Sequence, residues 1–267
     1  MVAKVIKQNK QAINTVQWPV QNVQAISTTC INPFFSTTIN QDITNAAKNS
    51  FGDFNLGDHV GDDPVVVENN KQSLLKILPE NTKIQWLKQV HGGHVHALTE
   101  YSEQKIEADA VVTSLKNVAL SVMTADCLPI FLADKNGREI AAIHGGWKPL
   151  VKNIISTTID KMSFLPEQLY AWLGPCIGEH AFEVGAEVKQ AFIQQSPAFK
   201  KAFVTVDNRN NKKYVANLQR IASIQLQQCG IHHISVLPHC TYNRTEQYYS
   251  YRRENITGRM ASIICRL

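Results

Sequence analysis

Three segments of the chain set a metal-binding side chain at the end of an apolar, strand-like run. They are Gln89-Val90-His91-Gly92, Ala125-Asp126-Cys127-Leu128-Pro129 and Ala141-Ala142-Ile143-His144-Gly145-Gly146-Trp147. Together they offer two imidazoles and one thiol. Three protein ligands leave the fourth position of a tetrahedral zinc open to water or substrate, which is a catalytic arrangement; a structural site is closed by four. The same donors tolerate copper, so ligand softness alone does not choose the metal. Separations of 36 and 17 residues are too long for one local finger, so the fold must assemble the site. Taken singly, each residue has a plainer role. A cysteine after a strand is often a small core residue, and a histidine beside glycines often bonds to backbone.

Further chemistry-bearing residues are less specific. Asp126, beside Cys127, suits either a general base or a turn cap. His59, Asp62 and Asp63 form a polar cluster for which helix capping and turn chemistry are the favoured reading. Cys176 and Glu183 flank a Gly174-Pro175 turn, in a structural loop or a site. Towards the C-terminus Arg244, Arg252, Arg253 and Arg259 mingle with Tyr242, Tyr248, Tyr249 and Tyr251. Basic residues among aromatics can bind single-stranded nucleic acid. They can equally hold a phosphate while a purine stacks on a ring, or be surface charges over core tyrosines. Arg252 and Arg253 are adjacent, so in a strand they point to opposite faces and only one reaches a site.

The elements that must position these residues are strand-rich in the centre. Val23 to Thr28 reads as a strand, and Cys30 to Ser50 as a long polar loop. Pro64, with Asp63 as cap, opens a helix to about Ile77 with Val67, Leu74, Leu75 and Leu78 on its apolar face. Lys83 to Val90, Ala108 to Thr113, Val118 to Thr124, Pro129 to Ala133 and Glu139 to His144 read as strands. Pro149 to Lys161 reads as a helix entered through Pro149. Leu169 to Leu173, Ile234 to Leu237 and Met260 to Cys265 are further strands. Gly185 to Gln195 and Val215 to Gln228 read as helices, the second capped by Gly230. Without repeat, linker or low-complexity segment, residues 1–267 are expected to form a single α/β (α+β) domain.

Composition narrows the class. Of 267 residues, 44% are apolar and 18% charged, ordinary for a globular protein with a sizeable core. No apolar run reaches the ~18 residues of a membrane span. Met1 to Lys10 is basic, but no apolar stretch follows, so a cytoplasmic location is expected and no signal peptide is read. Six cysteines without a CxxC pair fit buried thiols in a reducing compartment. A net charge of +5 can attract anionic substrates without being a nucleic-acid signature.

The chain resembles the YfiH family of laccase-domain proteins, also called the multicopper polyphenol oxidase or purine nucleoside phosphorylase family. The resemblance rests on Asn55-Leu56-Gly57 through Asp63, Trp86 to Gly92, Ala108-Asp109-Ala110, Thr124 to Pro129, His144-Gly145-Gly146-Trp147, Gly174 to Gly178, Phe182-Glu183-Val184, Cys240-Thr241-Tyr242, Ser250 to Arg253 and Thr257 to Ser262. These run in family order over almost the whole chain. The resemblance implies a single-domain sandwich of mixed β-sheets flanked by helices, with zinc on His91, Cys127 and His144. It also implies phosphorolysis of adenosine, inosine and S-methyl-5′-thioadenosine, and deamination of adenosine. A role in editing cell-wall precursors is also attributed to the family. Under this reading Asn55, Asp126, Lys148, Arg252, Arg253 and Arg259 are candidate substrate-binding residues, and a purine nucleoside and phosphate are the partners. Nucleic acid and membrane are not expected partners; the chain is expected as a monomer or small homo-oligomer. The sequence departs from the family pattern at Thr28 to Pro33, at Asn69-Asn70 and at Trp147-Lys148-Pro149. Each of these departures replaces an arginine, at Cys30, Asn70 and Lys148, which bears on how an anion is held.

Alternatives follow from the same residues. Cys127 as nucleophile with His91 or His144 as base suits a hydrolase of cell-wall precursors. A polyphenol oxidase is disfavoured: the chain has nine histidines and one His-x-His pair, His94-Val95-His96, and neither His nor Met closely follows Cys127 as a blue-copper site requires. The His-x-Glu and Pro-Cys-x-x-Cys signature of zinc deaminases is absent. A non-catalytic binding protein would have no need of all three ligands.

Overall fold

A computed structural model describes residues 11–34, 50–206 and 213–267. Most of the expected Cys30 to Ser50 loop lies outside the described residues. Two mixed β-sheets pack face to face. The first has five strands in the order Ile13–Thr15, Val23–Thr28, Met260–Arg266, Val118–Thr124 and Lys83–Gln85. The second has six, ordered His233–Val236, Leu169–Leu173, Leu128–Asp134, Ile140–Gly145, Ala110–Thr113 and Val95–Leu98.

The central strands are apolar on both faces, as strands buried on both sides must be. Phe131 and Ala133 point into the layer between the sheets, where they meet Leu120, Val122 and Ile264. Ile130 and Leu132 point the other way, onto a helical layer through Leu150, Ile154, Ile221 and Leu226. The outer face of the five-stranded sheet is covered by Leu74 of the Pro64–Leu75 helix with Phe54 and Leu56. Asp63 caps that helix by accepting the Val65 N–H. The result is a sandwich of mixed sheets flanked by helices.

Three elements differ from the sequence reading. The run from Lys83 to Val90 is two short strands, Lys83–Gln85 and Leu87–Lys88, on different partners. The break falls where the Gln85 amide donates to the carbonyls of Trp86 and Gln104. The helix expected over Pro149 to Lys161 is two, Trp147–Val151 and Ile154–Ile159. Asn153, at φ 58°, turns the chain between them; asparagine adopts this left-handed conformation more readily than most residues. Pro149 lies in the first turn, where a missing N–H costs no helical bond. The last helix starts at Leu218, because the Asn217 side chain accepts the Arg220 N–H and ends the preceding Lys213–Ala216 strand.

Candidate metal centre and its cleft

The 17-residue spacing from Cys127 to His144 is one antiparallel hairpin. Gly145 pairs with Leu128 and His144 with Pro129, so Cys127 lies one residue beyond the last pair and returns beside His144. The next strand over adds the carboxylate that organises the site. Ile143 pairs with Ala110, and the His144 N–H donates to the Asp109 carbonyl at 2.7 Å. His91 reaches the cluster from a turn after the Leu87–Lys88 strand. Gln89 clamps that turn through its side chain, accepting from Met123 N at 2.7 Å and donating to Met123 O at 2.9 Å.

Asp109 is fully buried and serves both histidines. Its Oδ1 lies 2.8 Å from His144 Nδ1 and accepts the His91 N–H at 3.0 Å; its Oδ2 accepts the Gly92 N–H at 2.6 Å. These bonds hold His91 at a φ of 55°. An ionised carboxylate only accepts, so it requires the proton of His144 on Nδ1 and leaves Nε2 free as a ligand. The imidazole rings of His91 and His144 stand edge to face with centroids 4.6 Å apart.

His91 is exposed, Cys127 half-buried and His144 buried, and their ligand atoms all lie within 4.8 Å of one another. Cys127 Sγ is 3.8 Å from His91 Nε2. A tetrahedral zinc with Zn–S near 2.3 Å and Zn–N near 2.1 Å separates its ligands by about 3.6 Å, so the donor set fits such an ion. A methyl group on Gly146 would stand 3.1 Å from Cys127 Sγ, and the glycine leaves that space clear. Among the described residues this is the one group of three His, Cys, Asp or Glu side chains so placed.

Electrostatics agree with a thiolate ligand. Burial opposes ionisation of Cys127, but His144 first and His91 second outweigh it and hold the thiol below its ordinary pKa. Burial likewise opposes charge on His144, and the Cys127 sulfur with Asp109 outweighs it in the upward direction. Asp109 is held low despite burial by His144 and by the Gly92 and His91 N–H groups.

The trio opens into a cleft of about 720 Å³. Asp126, Lys148, Arg252 and Arg259 line it, whereas Asn55 and Arg253 do not. Asn55 is buried and accepts the N–H groups of Gly57 and Arg259. Arg253 spends its guanidinium on the carbonyls of Thr241, Tyr242 and Tyr248. The Arg252-Arg253 pair sits in a turn, not a strand. Asp126 has φ 94° and accepts from Thr241 Oγ1 at 2.6 Å, Ser250 Oγ at 3.0 Å and Arg252 N at 2.7 Å. Its oxygens are occupied, so the geometry suits a structural tie between the Cys127 turn and the C-terminal loop. The His59 cluster divides: Asp63 caps a helix, Asp62 bonds Asn55, and His59 lines the cleft. Cys176 is buried; Glu183 pairs with Lys213. Tyr248 and Tyr249 are core residues.

Sequence reading missed Asp109 as a functional residue. Its signal was a lone acid between alanines in an apolar run, a position where a charge must be paired. It named Tyr251 among rings that a purine could stack on, but missed Trp147 and Phe182 as walls of the same cleft. Lys148 lies 5.7 Å from the Trp147 ring, Arg252 5.5 Å from Phe182 and Arg259 5.8 Å from Tyr251.

A family model described as multi-copper polyphenol oxidoreductase laccase matches residues 35–267. Escherichia coli purine nucleoside phosphorylase YfiH is 39% identical over 214 residues, covering 80% of this chain and 86% of the relative. The chain belongs to the YfiH family of laccase-domain proteins. A Haemophilus influenzae member named purine nucleoside phosphorylase is 44% identical over 213 residues, covering 79% of this chain and 86% of its own. The crystal structure of Neisseria meningitidis protein NMB0706 superposes with a TM-score of 0.84 at 33% identity, covering 96% of this chain and 99% of that one. Bacillus licheniformis YfiH gives 0.79 at 25% identity, over 92% and 93% of the two chains. Among the described residues of this YfiH-family chain, no helix is long and apolar enough to cross a membrane.

Proposed function

We propose that this chain is a zinc-dependent purine nucleoside phosphorylase acting as a single catalytic domain over residues 1–267, on adenosine, inosine and S-methyl-5′-thioadenosine. The observation that carries the reading is the convergence of His91, Cys127 and His144 in a cleft walled by cation–aromatic pairs. The relatives named as purine nucleoside phosphorylases point the same way. Phosphorolysis forms a bond from a phosphate oxygen to the ribose C1′ and breaks the C1′–N9 bond, whose electron pair leaves with the purine. An aromatic wall at Trp147, Phe182 and Tyr251 offers faces for the base. Lys148 and Arg252 bring positive charge to the cleft, and an arginine guanidinium suits phosphate.

His91, Cys127 and His144 would hold the zinc, which supplies a Lewis acid with an open coordination position when bound. Asp109 fixes the tautomer of His144 and the turn of His91, so the ligand atoms are set before the metal arrives. Adenosine deamination is proposed as a second reaction of the same cleft. The depressed thiol of Cys127 beside His91 also favours a second reading, a Cys–His hydrolase of cell-wall precursors. Metal content separates the two, since a zinc-bound thiolate is a poor nucleophile.

The test is base release from adenosine and inosine by metal-loaded protein with and without inorganic phosphate. The proposal expects adenine and hypoxanthine only when phosphate is present, with ribose 1-phosphate as co-product. Equal release without phosphate means hydrolysis and contradicts it.

A further inference from the structure

The cleft carries more positive charge than one inorganic phosphate requires. Lys88, Lys105, Lys148, Arg252 and Arg259 line it, with His59, whose imidazole burial holds below its ordinary pKa, against one acidic residue, Asp126. Asp126 already accepts three hydrogen bonds from protein donors, and Lys88 is paired with Glu107.

The remaining basic residues fall into two groups. Lys148 lies by Trp147, and Arg252 lies by Phe182 and donates to the Glu183 carbonyl. His59, Lys105 and Arg259 form the other group: Asp58 lies 3.7 Å from His59 Nδ1 and pairs with Lys105, Asn55 ties the His59 loop to Arg259, and Arg259 lies by Tyr251.

This second group is built rather than accidental. Among the described residues no carboxylate pairs with Arg259, which is half-buried. Its Nη1 donates to the Thr257 and Gly258 carbonyls, leaving the rest of the guanidinium to the cleft. A half-buried guanidinium with no carboxylate in direct contact favours an anion beside it. Asp58 is shared among Lys105, Lys71 and His59, one negative charge against two lysines. The loop that brings His59 is locked to Arg259. Asn55 Oδ1 accepts the Arg259 and Gly57 N–H groups, and a methyl on Gly57 would stand 2.7 Å from Arg259 Cγ.

We infer that His59, Lys105 and Arg259 form a second anion subsite, which takes the 5′-phosphate of a purine nucleoside monophosphate while Lys148 and Arg252 hold inorganic phosphate. The inference rests on the nucleoside reading above and extends its substrate class to phosphorylated nucleosides. A volume of about 720 Å³ is within the range that encloses a ligand of nucleotide size.

The experiment is calorimetric titration of the metal-loaded full chain with adenosine and with adenosine 5′-monophosphate, each with and without saturating inorganic phosphate. The monophosphate is expected to bind about 10-fold or more tightly than adenosine, the size of one charge-assisted contact set. Saturating phosphate should leave its affinity unchanged, because the two anions occupy different groups. Lys105→Met and Arg259→Met should each bring the ratio of the two affinities to within about 3-fold. If Arg259→Met fails to fold, Lys105→Met and His59→Gln carry the test, both being exposed side chains. Competition between phosphate and the monophosphate overturns the inference, as does loss of the preference in Lys148→Met instead of Lys105→Met. If adenosine binds and the monophosphate binds no tighter, the subsite falls and the nucleoside reading stands. If neither binds, both fall.

Discussion

Two buried aspartates organise the two halves of this cleft, and they do it differently. Asp109 heads a central strand and spends its oxygens on the segments that carry His91 and His144. Asp126 sits in a left-handed turn and spends its oxygens on Thr241, Ser250 and Arg252 of the C-terminal loop. The first sets ligand atoms; the second ties the Cys127 turn to the loop that presents Arg252. Metal binding and anion binding should therefore be separable by mutation.

Asp109→Ala should give the largest effect. Removing a carboxylate that orients metal-ligating histidines costs about 10–100-fold in metal affinity. It also removes the acceptor of the part-buried His91 and Gly92 N–H groups. Competition with a chromophoric chelator measures the affinity, and a wild-type value would break the contrast. Arg252→Lys keeps the charge and loses the fork. The phosphate KM should rise between a few-fold and ~100-fold, for ~1–3 kcal/mol of charge-assisted bonding, with metal content unchanged. Arg253→Lys should leave that KM alone and lower Tm, since Arg253 clamps three carbonyls.

Asp126→Asn tolerates the positive φ but turns one acceptor into a donor facing other donors. A loss of ~1–3 kcal/mol in stability is expected, with metal retained. Metal loss matching that of Asp109→Ala would show that the two halves are one unit.

The convergence of His91, Cys127 and His144 was legible because each stands beside an apolar, strand-like run, although only His144 lies within a strand; His91 and Cys127 sit in the turns after Leu87–Lys88 and Val118–Thr124. The hairpin behind the 17-residue gap was legible in its parts, the runs Pro129 to Ala133 and Glu139 to His144, but the Leu128–Gly145 register that returns Cys127 beside His144 was not. Asp109 was hidden because its partners, His91 and His144, lie 18 and 35 residues away along the chain. The Arg252-Arg253 pair was ambiguous for a local reason. In a strand, alternation decides which arginine faces the site; in the observed turn, hydrogen bonds to Thr241, Tyr242 and Tyr248 decide it. The helix break at Asn153 was likewise invisible to apolar periodicity, which continues through it.

The smallest expected effect concerns pH and lies outside both aspartate centres. Burial opposes ionisation of Asp58, but its ion pairs with Lys105 and Lys71 outweigh it and lower the pKa to about 2. A folded pKa below the unfolded one stabilises the native state above the unfolded value, near 3.9. That contribution is lost as pH falls from about 4 towards 2. Asp58→Asn should thus lower Tm at pH 6 and match the wild type near pH 2. For a partly exposed pair the difference should be at most ~1 kcal/mol.

The most direct measurement is the metal content of purified wild-type and Cys127→Ala protein, alongside circular dichroism to show that both are folded. The account predicts about one zinc per wild-type chain and a large loss in the variant, with the fold retained because a core of this size does not depend on a single ion. A Cys127→Ala protein that keeps the wild-type zinc content would contradict it.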